Sequence, residues 1–323
     1  MKRLIKGLLP ASTWKNLRSF KRARIRRTRR LVEALGYNVA RKADYYSPLP
    51  TESELERNVA RWNRPSALVG VRYDVEAYKR RLGELVRTYR DEFLALPPYA
   101  SVTTQGFGPG YPEVDAFVLY MMVRAGKPRR YVEVGSGLST YYCSLAAARN
   151  AEEGHPLAIQ CVEPYPSAEL RTIPGIEVLQ CEVQDVDLEL FARLEQDDIL
   201  FIDSSHVLKI DSDIPFLFLE VLPRLSRGVS IHVHDIPFPY NVPHPAEYWV
   251  LGRRNEAPYW PMYWNEAMVL QAFLAFNDAF EIELSAPLIR HHDEPFLAAT
   301  VPGYRPVAEE PNTFSSIWLR KVG

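Results

Sequence analysis

Four short stretches of this 323-residue chain carry side chains suited to chemistry. The run Val132-Glu133-Val134-Gly135-Ser136-Gly137-Leu138-Ser139-Thr140 sets two glycines two apart, behind an apolar stretch and ahead of a helical pattern. A strand-to-helix turn of this kind lets backbone N–H groups approach a ligand closely. Cys161-Val162-Glu163 ends a second apolar run with a carboxylate, which at a strand tip can accept both hydroxyls of a ribose. Glu163 follows Gly135 by 28 residues, compatible with one βαβ unit. Phe201-Ile202-Asp203-Ser204-Ser205-His206 and Ile231-His232-Val233-His234-Asp235 end two more runs. Converging carboxylates and imidazoles can serve as a general base or as ligands of a divalent cation. Strand alternation puts His232 on the same face as His234.

Those ends need a scaffold that opens them on one edge. After residue 130, Tyr131–Val134, Leu157–Val162, Ile176–Cys181, Ile199–Ile202 and Val229–Val233 read as short strands buried on both faces, with helical patterns between most of them. The pattern predicts an α/β fold, a Rossmann-like doubly wound parallel sheet with right-handed crossovers. A helix over 265–277 precedes two further strands, Phe280–Leu284 and Ser315–Arg320. The total is seven, the last two joined by a long connection without a helix. Upstream, residues 14–96 are helical in period, with breaks at Ser47-Pro48-Leu49-Pro50 and Pro65. The clearest helix, 74–96, spaces Val75, Tyr78, Leu82, Leu85, Val86, Tyr89 and Phe93 at three and four residues. A Gly/Pro bend at 106–112 leads into a helix over 113–126. The expected division is a basic, helical N-terminal extension over 1–103 and a sheet domain over 104–323.

Together these motifs resemble a class I S-adenosylmethionine (SAM) methyltransferase over about residues 104–320. Glu133-x-Gly135-x-Gly137 matches that family's first motif, with Ser139 where a third glycine usually stands. The resemblance implies SAM as cofactor and a strand order 3-2-1-4-5-7-6 with the last strand antiparallel. It implies Gly135 and Gly137 under the methionine part, with Glu133, Ser136 and Ser139 in the same cofactor turn. Glu163 would then hold the ribose, Asp185 would lie beside the adenine, and Asp203 would also reach the cofactor. Asp203-x-x-His206 and His234-Asp235, followed by Trp264-Asn265-Glu266, look like the bacterial type-24 methyltransferase group, related to sugar O-methyltransferases of antibiotic and surface-glycan pathways. In metal-using relatives a fourth-strand Asp and an acidic pair after the fifth strand bind magnesium. The matching positions here are Asp203, His234 and Asp235. The imidazole suits a transition metal better than magnesium, or leaves Asp203 or His206 as a metal-free base. Thr140 in the last place of the turn argues against NAD, and no Asn/Asp-Pro-Pro-Tyr/Phe motif follows the fourth strand to indicate nucleic-acid methylation.

A sugar hydroxyl has a high pKa, so its methylation calls for a base or a metal. Asp203, His206 and Asp235 supply those parts, which favours O-methylation of a small molecule or glycan. N-methylation of an amino sugar or peptide and a non-catalytic SAM- or nucleotide-binding module are the alternatives. The irregular stretch 236–264 is the expected acceptor wall, with Tyr240, His244, Tyr248, Trp249, Tyr259 and Trp260 offering flat faces with polar tips. Arg253-Arg254 suits an anionic group, and His291-His292 reads as a surface turn.

Composition sets the outer bounds. Hydrophobic residues at 47% and charged residues at 24% allow a large core and exclude global disorder. No apolar window reaches the roughly 18 residues of a membrane span. The apolar patch near the start is too short for a secretory signal, and Cys143, Cys161 and Cys181 lie in apolar runs as core thiols, so a cytoplasmic protein is expected. Residues 1–30 hold 12 Lys and Arg and no acid, whereas the other 293 residues hold 40 Asp and Glu against 27 Lys and Arg. The extension is expected to cover the acceptor site, to pair two copies as a homodimer, or to dock on an anionic surface or nucleic acid through residues 1–30.

Overall fold

The computed structural model describes residues 11–37, 45–107, 110–253, 261–306 and 314–323. They divide into two compact units between Asn58 and Val59. In the first, Ala11–Ala34 is one helix. Arginine, lysine and leucine favour it, and it ends at Gly36, whose φ of +83° suits the left-handed turn after a helix. Thr51 caps a second, short helix, Glu52–Arg57, in a reciprocal box with Glu54.

The second unit is built on seven strands: β1 (Arg130–Val134), β2 (Ala158–Val162), β3 (Ile176–Leu179), β4 (Ile199–Ile202), β5 (Ser230–Val233), β6 (Phe280–Ser285) and β7 (Ile317–Lys321). Their order is β3-β2-β1-β4-β5-β7-β6, with β7 antiparallel to both neighbours, as the resemblance implies. Every residue of β4 and β5 is buried; β4 is accordingly an unbroken apolar run, and β5 carries Ser230 and His232 between its apolar residues.

Register explains how distant residues meet. Val134 pairs with Val162 on one side and Ile202 on the other, and Ile202 pairs with Val233. One step on, Gly135, Glu163, Asp203 and His234 therefore emerge side by side at the carboxyl edge. The order reverses there, between β1 and β4, and such a switch point is where open α/β sheets bind ligands. β7 runs the opposite way and pairs Ile317 with Val233, which delivers Ser315 to the same edge.

Two helices ahead of β1 belong to this unit. Val75–Leu94 starts at Asp74, whose carboxylate accepts from Ala77 N at 2.9 Å, and buries Tyr78, Leu82, Leu85, Val86 and Phe93. Those side chains join the core of the sheet unit, so residues 59–103 pack with the sheet although the sequence groups them with the extension. Glu113–Gly126 is buried from Val114 to Arg124. Its Arg124 is satisfied by Glu92 of the preceding helix and by Asn150 and Glu153 at the end of Leu138–Glu152.

The connection from β6 to β7 corrects the sequence reading. Ala286–Thr300 is helical, capped by the Ser285 hydroxyl, with a break at Asp293. Pro287 in the first turn and Pro295 beyond the break interrupt the apolar rhythm that would betray a helix. His291 and His292 are exposed on this helix, not in a turn.

Candidate active site

Beneath the carboxyl edge lies a cavity of about 580 Å³. Val134 and Gly135 line it from β1, Glu163 from β2, Glu182 to Gln184 from the turn after β3, and Asp203 with parts of 204–213 from the loop after β4. Gly135 has φ +81°, and a Cβ there would collide with the Asp203 carbonyl oxygen, so only glycine lets the two loops meet. At Gly137 a Cβ would stand 2.5 Å from Phe107 O. Glu163 braces the edge: its carboxylate accepts from Ser136 N at 3.1 Å and Tyr165 N at 2.7 Å. Below the turn Glu133 is fully buried and accepts from the Ser139 and Thr140 hydroxyls, each at 2.5 Å. Burial pushes its carboxyl up to about 8 even so. Ser139 thus stands on the underside of the turn, bonded to Glu133. The lining carries five carboxylates, Glu163, Glu182, Asp203, Asp211 and Asp213, and a single lysine, Lys209. Such a site attracts a cation and repels a polyphosphate.

Asp203 joins this cavity to a second group of side chains. Its Oδ1 lies 3.2 Å from His206 Nε2 and 3.2 Å from His234 Nδ1. Asp235 Oδ2 faces the same two nitrogens, at 3.4 and 3.6 Å. On the far side of each ring stands another carboxylate. Glu266 Oε2 is 2.7 Å from His206 Nδ1, and Asp115 Oδ2 is 3.2 Å from His234 Nε2. The result is two carboxylate–imidazole pairs converging on Asp203 and Asp235. Ser315 closes the group, its N–H donating to Asp115 at 3.0 Å and its hydroxyl to Asp235 at 2.9 Å. His206 and Asp235 hold φ of +58° and +57°, a left-handed conformation unusual for side chains with a Cβ. Strain of that kind persists where surrounding bonds over-determine it, and it gathers at functional sites.

The electrostatics follow from the flanking. Burial alone would lower the pKa of His206 and of His234, yet the carboxylates at both nitrogens of each ring raise it well above the ordinary imidazole value. The flanking carboxylates therefore favour the doubly protonated form of both rings. Burial alone would raise Asp203, but the His234 charge and bonds from both rings hold it well below the usual carboxylate range. Burial raises Glu266 against the pull of His206, and its Oε1 has no hydrogen-bond partner. Asp115 Oδ1 is unpartnered as well. His232 differs: neither ring nitrogen is bonded, the ring stacks on Trp318 at 4.1 Å, and burial with the nearby His234 charge keeps it neutral.

Residues 132–236, the span from the glycine turn to the end of this cluster's second strand, match a family model, type 24, described as a methyltransferase domain. The matched segment is thus similar to methyltransferase domains of that family over about a third of the chain. A relative in Archaeoglobus fulgidus, an uncharacterized protein, is 27% identical over 165 residues, 48% of this chain and 73% of its own length. Among solved structures, the O-methyltransferase TomG of Streptomyces achromogenes aligns at 16% identity over 78% of this chain and 92% of its own, with a TM-score of 0.40. An O-methyltransferase of Bacillus cereus aligns at 13% identity over 77% and 100%, with a TM-score of 0.39. Likenesses this distant assign nothing at the site.

Within the matched segment Gly135, Glu163 and Asp203 line the cavity, whereas Glu133, Ser136, Gly137 and Ser139 support the turn from beside or below. Asp185 is not among the lining residues; its neighbours Glu182, Val183 and Gln184 are, because the single 3-10 turn Val183–Asp185 presents its first residues to the cavity. Asp203, His206, His234 and Asp235 do come together. By spacing, Asp203 Oδ1, His206 Nε2 and Asp235 Oδ2 lie within 4.8 Å of one another, close enough for three donors to share a cation. Magnesium, which takes oxygen ligands at near-octahedral angles, does not fit this set. The inward carboxylate oxygens already face ring N–H groups, and the imidazolium charge stands where a metal's would. Of the aromatic candidates, Tyr240 stacks on His244 at 3.9 Å, and Trp249 lies 6.4 Å from Trp264. Burial and then Arg290 lower His244 to about 4. Tyr259, Trp260 and Arg254 lie outside the described residues.

Sequence reasoning gave no role to Asp115, Glu266, Trp264 or Ser315. Trp264 sits 4.5 Å from the His206 ring, and the backbone N–H groups of Asn265 and Glu266 both donate to His206 O. The signal for Asp115 was an acid at the head of an otherwise apolar helix. For Glu266 it was the Trp-Asn-Glu triplet itself.

Proposed function

We propose that the protein transfers the methyl group of SAM to a hydroxyl oxygen of a small-molecule or glycan acceptor, with His206 taking the hydroxyl proton and Glu266 holding His206 in position. The observation that supports this is the continuity of the cationic-ligand cavity with the imidazole–carboxylate cluster through Asp203. When bound, SAM supplies a sulfonium-activated methyl, whose C–S bond breaks as the acceptor oxygen forms its bond to carbon. The residues of the chain do the rest. The acidic lining, Glu163 and Asp203 above all, favours a positively charged ligand over NAD. Asp203 and Asp235 both face His206 Nε2, the nitrogen an acceptor hydroxyl has to reach, and Glu266 holds the ring from Nδ1. Nε2 must shed its proton before it can accept one, and His206 sheds it more readily once a cationic ligand shares Asp203. Glu266 accepts from Nδ1–H and keeps the ring in the tautomer that leaves Nε2 as the base. An amine acceptor is nucleophilic without such a relay, which is why the cluster favours oxygen.

The test is calorimetric titration of SAM and S-adenosylhomocysteine into chelator-treated protein, followed by transfer of labelled methyl to a panel of hydroxylated glycans and natural products. Micromolar binding of both ligands, none of NAD, and a turnover reduced about 10²–10⁴-fold by His206→Asn with SAM affinity kept are expected. Failure to bind either adenosyl ligand, or full turnover in His206→Asn, overturns the proposal.

A further inference from the structure

We propose that the helix Ala11–Ala34 docks the protein on an anionic phospholipid surface, lying in the headgroup plane without crossing the bilayer. The helix carries nine Lys and Arg and one acid, Glu33, which pairs with Arg29 at 3.4 Å. Charge alone does not choose the partner; the apolar side chains do. Phe20, Ile25 and Leu31 are 71%, 50% and 68% exposed. At 100° per residue they fall, with Thr28 and Val32, within an arc of about 140°. Arg26, Arg29 and Arg30 project from the opposite side; Lys21 and Arg24 fall inside the arc, and Arg24 has a stem long enough to reach headgroups from there. Leu35, 73% exposed, continues the stripe past the last turn.

A nucleic acid would neutralise the arginines but leave that stripe in water. A second copy would bring one cationic helix against another. An anionic bilayer takes both faces at once, with the apolar stripe at the acyl boundary and the arginines among the headgroups. Nor does the helix span: no described helix is long and apolar enough to cross a membrane. The 299 residues outside the helix hold 39 acids against 30 bases, so an anionic surface repels them and the helix is the part that touches.

Flotation of the full chain with vesicles of phosphatidylcholine alone, and with about one-third phosphatidylglycerol, tests the proposal. Binding is expected to the anionic vesicles alone and to fall as salt rises. Phe20→Ser with Leu31→Ser, which keeps every charge, is expected to weaken it by about tenfold or more while the thermal melting profile stays unchanged. Equal binding to both vesicle types, no binding to either, or anionic binding unmoved by the double substitution overturns it. The same holds if a nucleic-acid duplex binds the full chain more tightly than the vesicles do and loses nothing in the double variant.

Discussion

At the scale of single residues, the cluster turns on what each imidazole nitrogen faces. His206 has Glu266 at Nδ1 and two aspartates at Nε2, so its conjugate acid is favoured from both sides. Its pKa in the free protein lies above the ordinary value of about 6.5. A base must be deprotonated to act, so kcat/KM is expected to rise with pH, along a limb lying above that value. Glu266→Gln removes one of the flanking charges. That limb is then expected to move to lower pH while the maximal rate falls, because the ring loses its fixed tautomer. A pH–rate profile of both proteins reads the outcome, and a limb that stays in place would show that Glu266 has no electrostatic hold on the ring. Asp203, His206, His234 and Asp235 were legible in the sequence because each sits just past the end of a short strand-like run. Glu266 and Asp115 were not, since they approach from helices 60 and 119 positions away from their partner histidines. Only tertiary packing aligns them.

At the scale of elements, the decisive junction is β1 with the helix Leu138–Glu152. Gly135 lets the β1 and β4 loops touch, and Glu133 ties strand to helix by accepting from Ser139 and Thr140 in the helix's first turn. The two hydroxyls thus have a structural use at the head of this helix. Burial raises the Glu133 carboxyl to about 8, the reverse of the usual stabilising carboxylate. Its sign follows from proton binding. Between about 4.5 and 8 the folded protein holds this proton and the unfolded chain does not, so the Glu133 contribution to stability falls as pH rises through that window and is flat above it. Glu133→Gln is uncharged throughout. The stability difference, wild type minus variant, is expected to shrink by up to about 4 kcal/mol between pH 4.5 and 8, measured by denaturant unfolding at a series of pH values. A difference that does not change with pH would mean that Glu133 does not titrate in that window. The strands themselves were legible to within a residue or two as short apolar runs, although only β1, β4, β5 and β7 are buried nearly throughout, while β2, β3 and β6 each keep an exposed residue. The kinked helix Ala286–Thr300 was not, because its prolines and the break at Asp293 erase the 3.6-residue rhythm.

At the scale of the whole molecule, charge and compaction divide the chain in nearly the same place. The basic residues concentrate before residue 31, and the compact sheet unit starts at Val59. The second unit holds its own core, including Tyr78, Leu82, Leu85 and Val86 from the helix that precedes the sheet. It also holds every residue placed in the cavity and the cluster. A chain beginning at Val59 is therefore expected to unfold in one cooperative transition and to bind SAM as tightly as the full chain, while losing attachment to anionic vesicles. A chain beginning at 104 would strip Tyr78, Leu82 and Phe93 from the core and expose the buried face of Glu113–Gly126. Because Asp115 lies in the first turn of that helix and bonds His234, the site would loosen together with the core. Thermal unfolding and SAM titration of the two truncations separate these outcomes. If both behave as the full chain does, the helix Val75–Leu94 is dispensable and the site is held by the sheet alone. If only the longer one does, the domain that carries out the chemistry begins at Val59, and a boundary read from strand periodicity alone falls one helix too late.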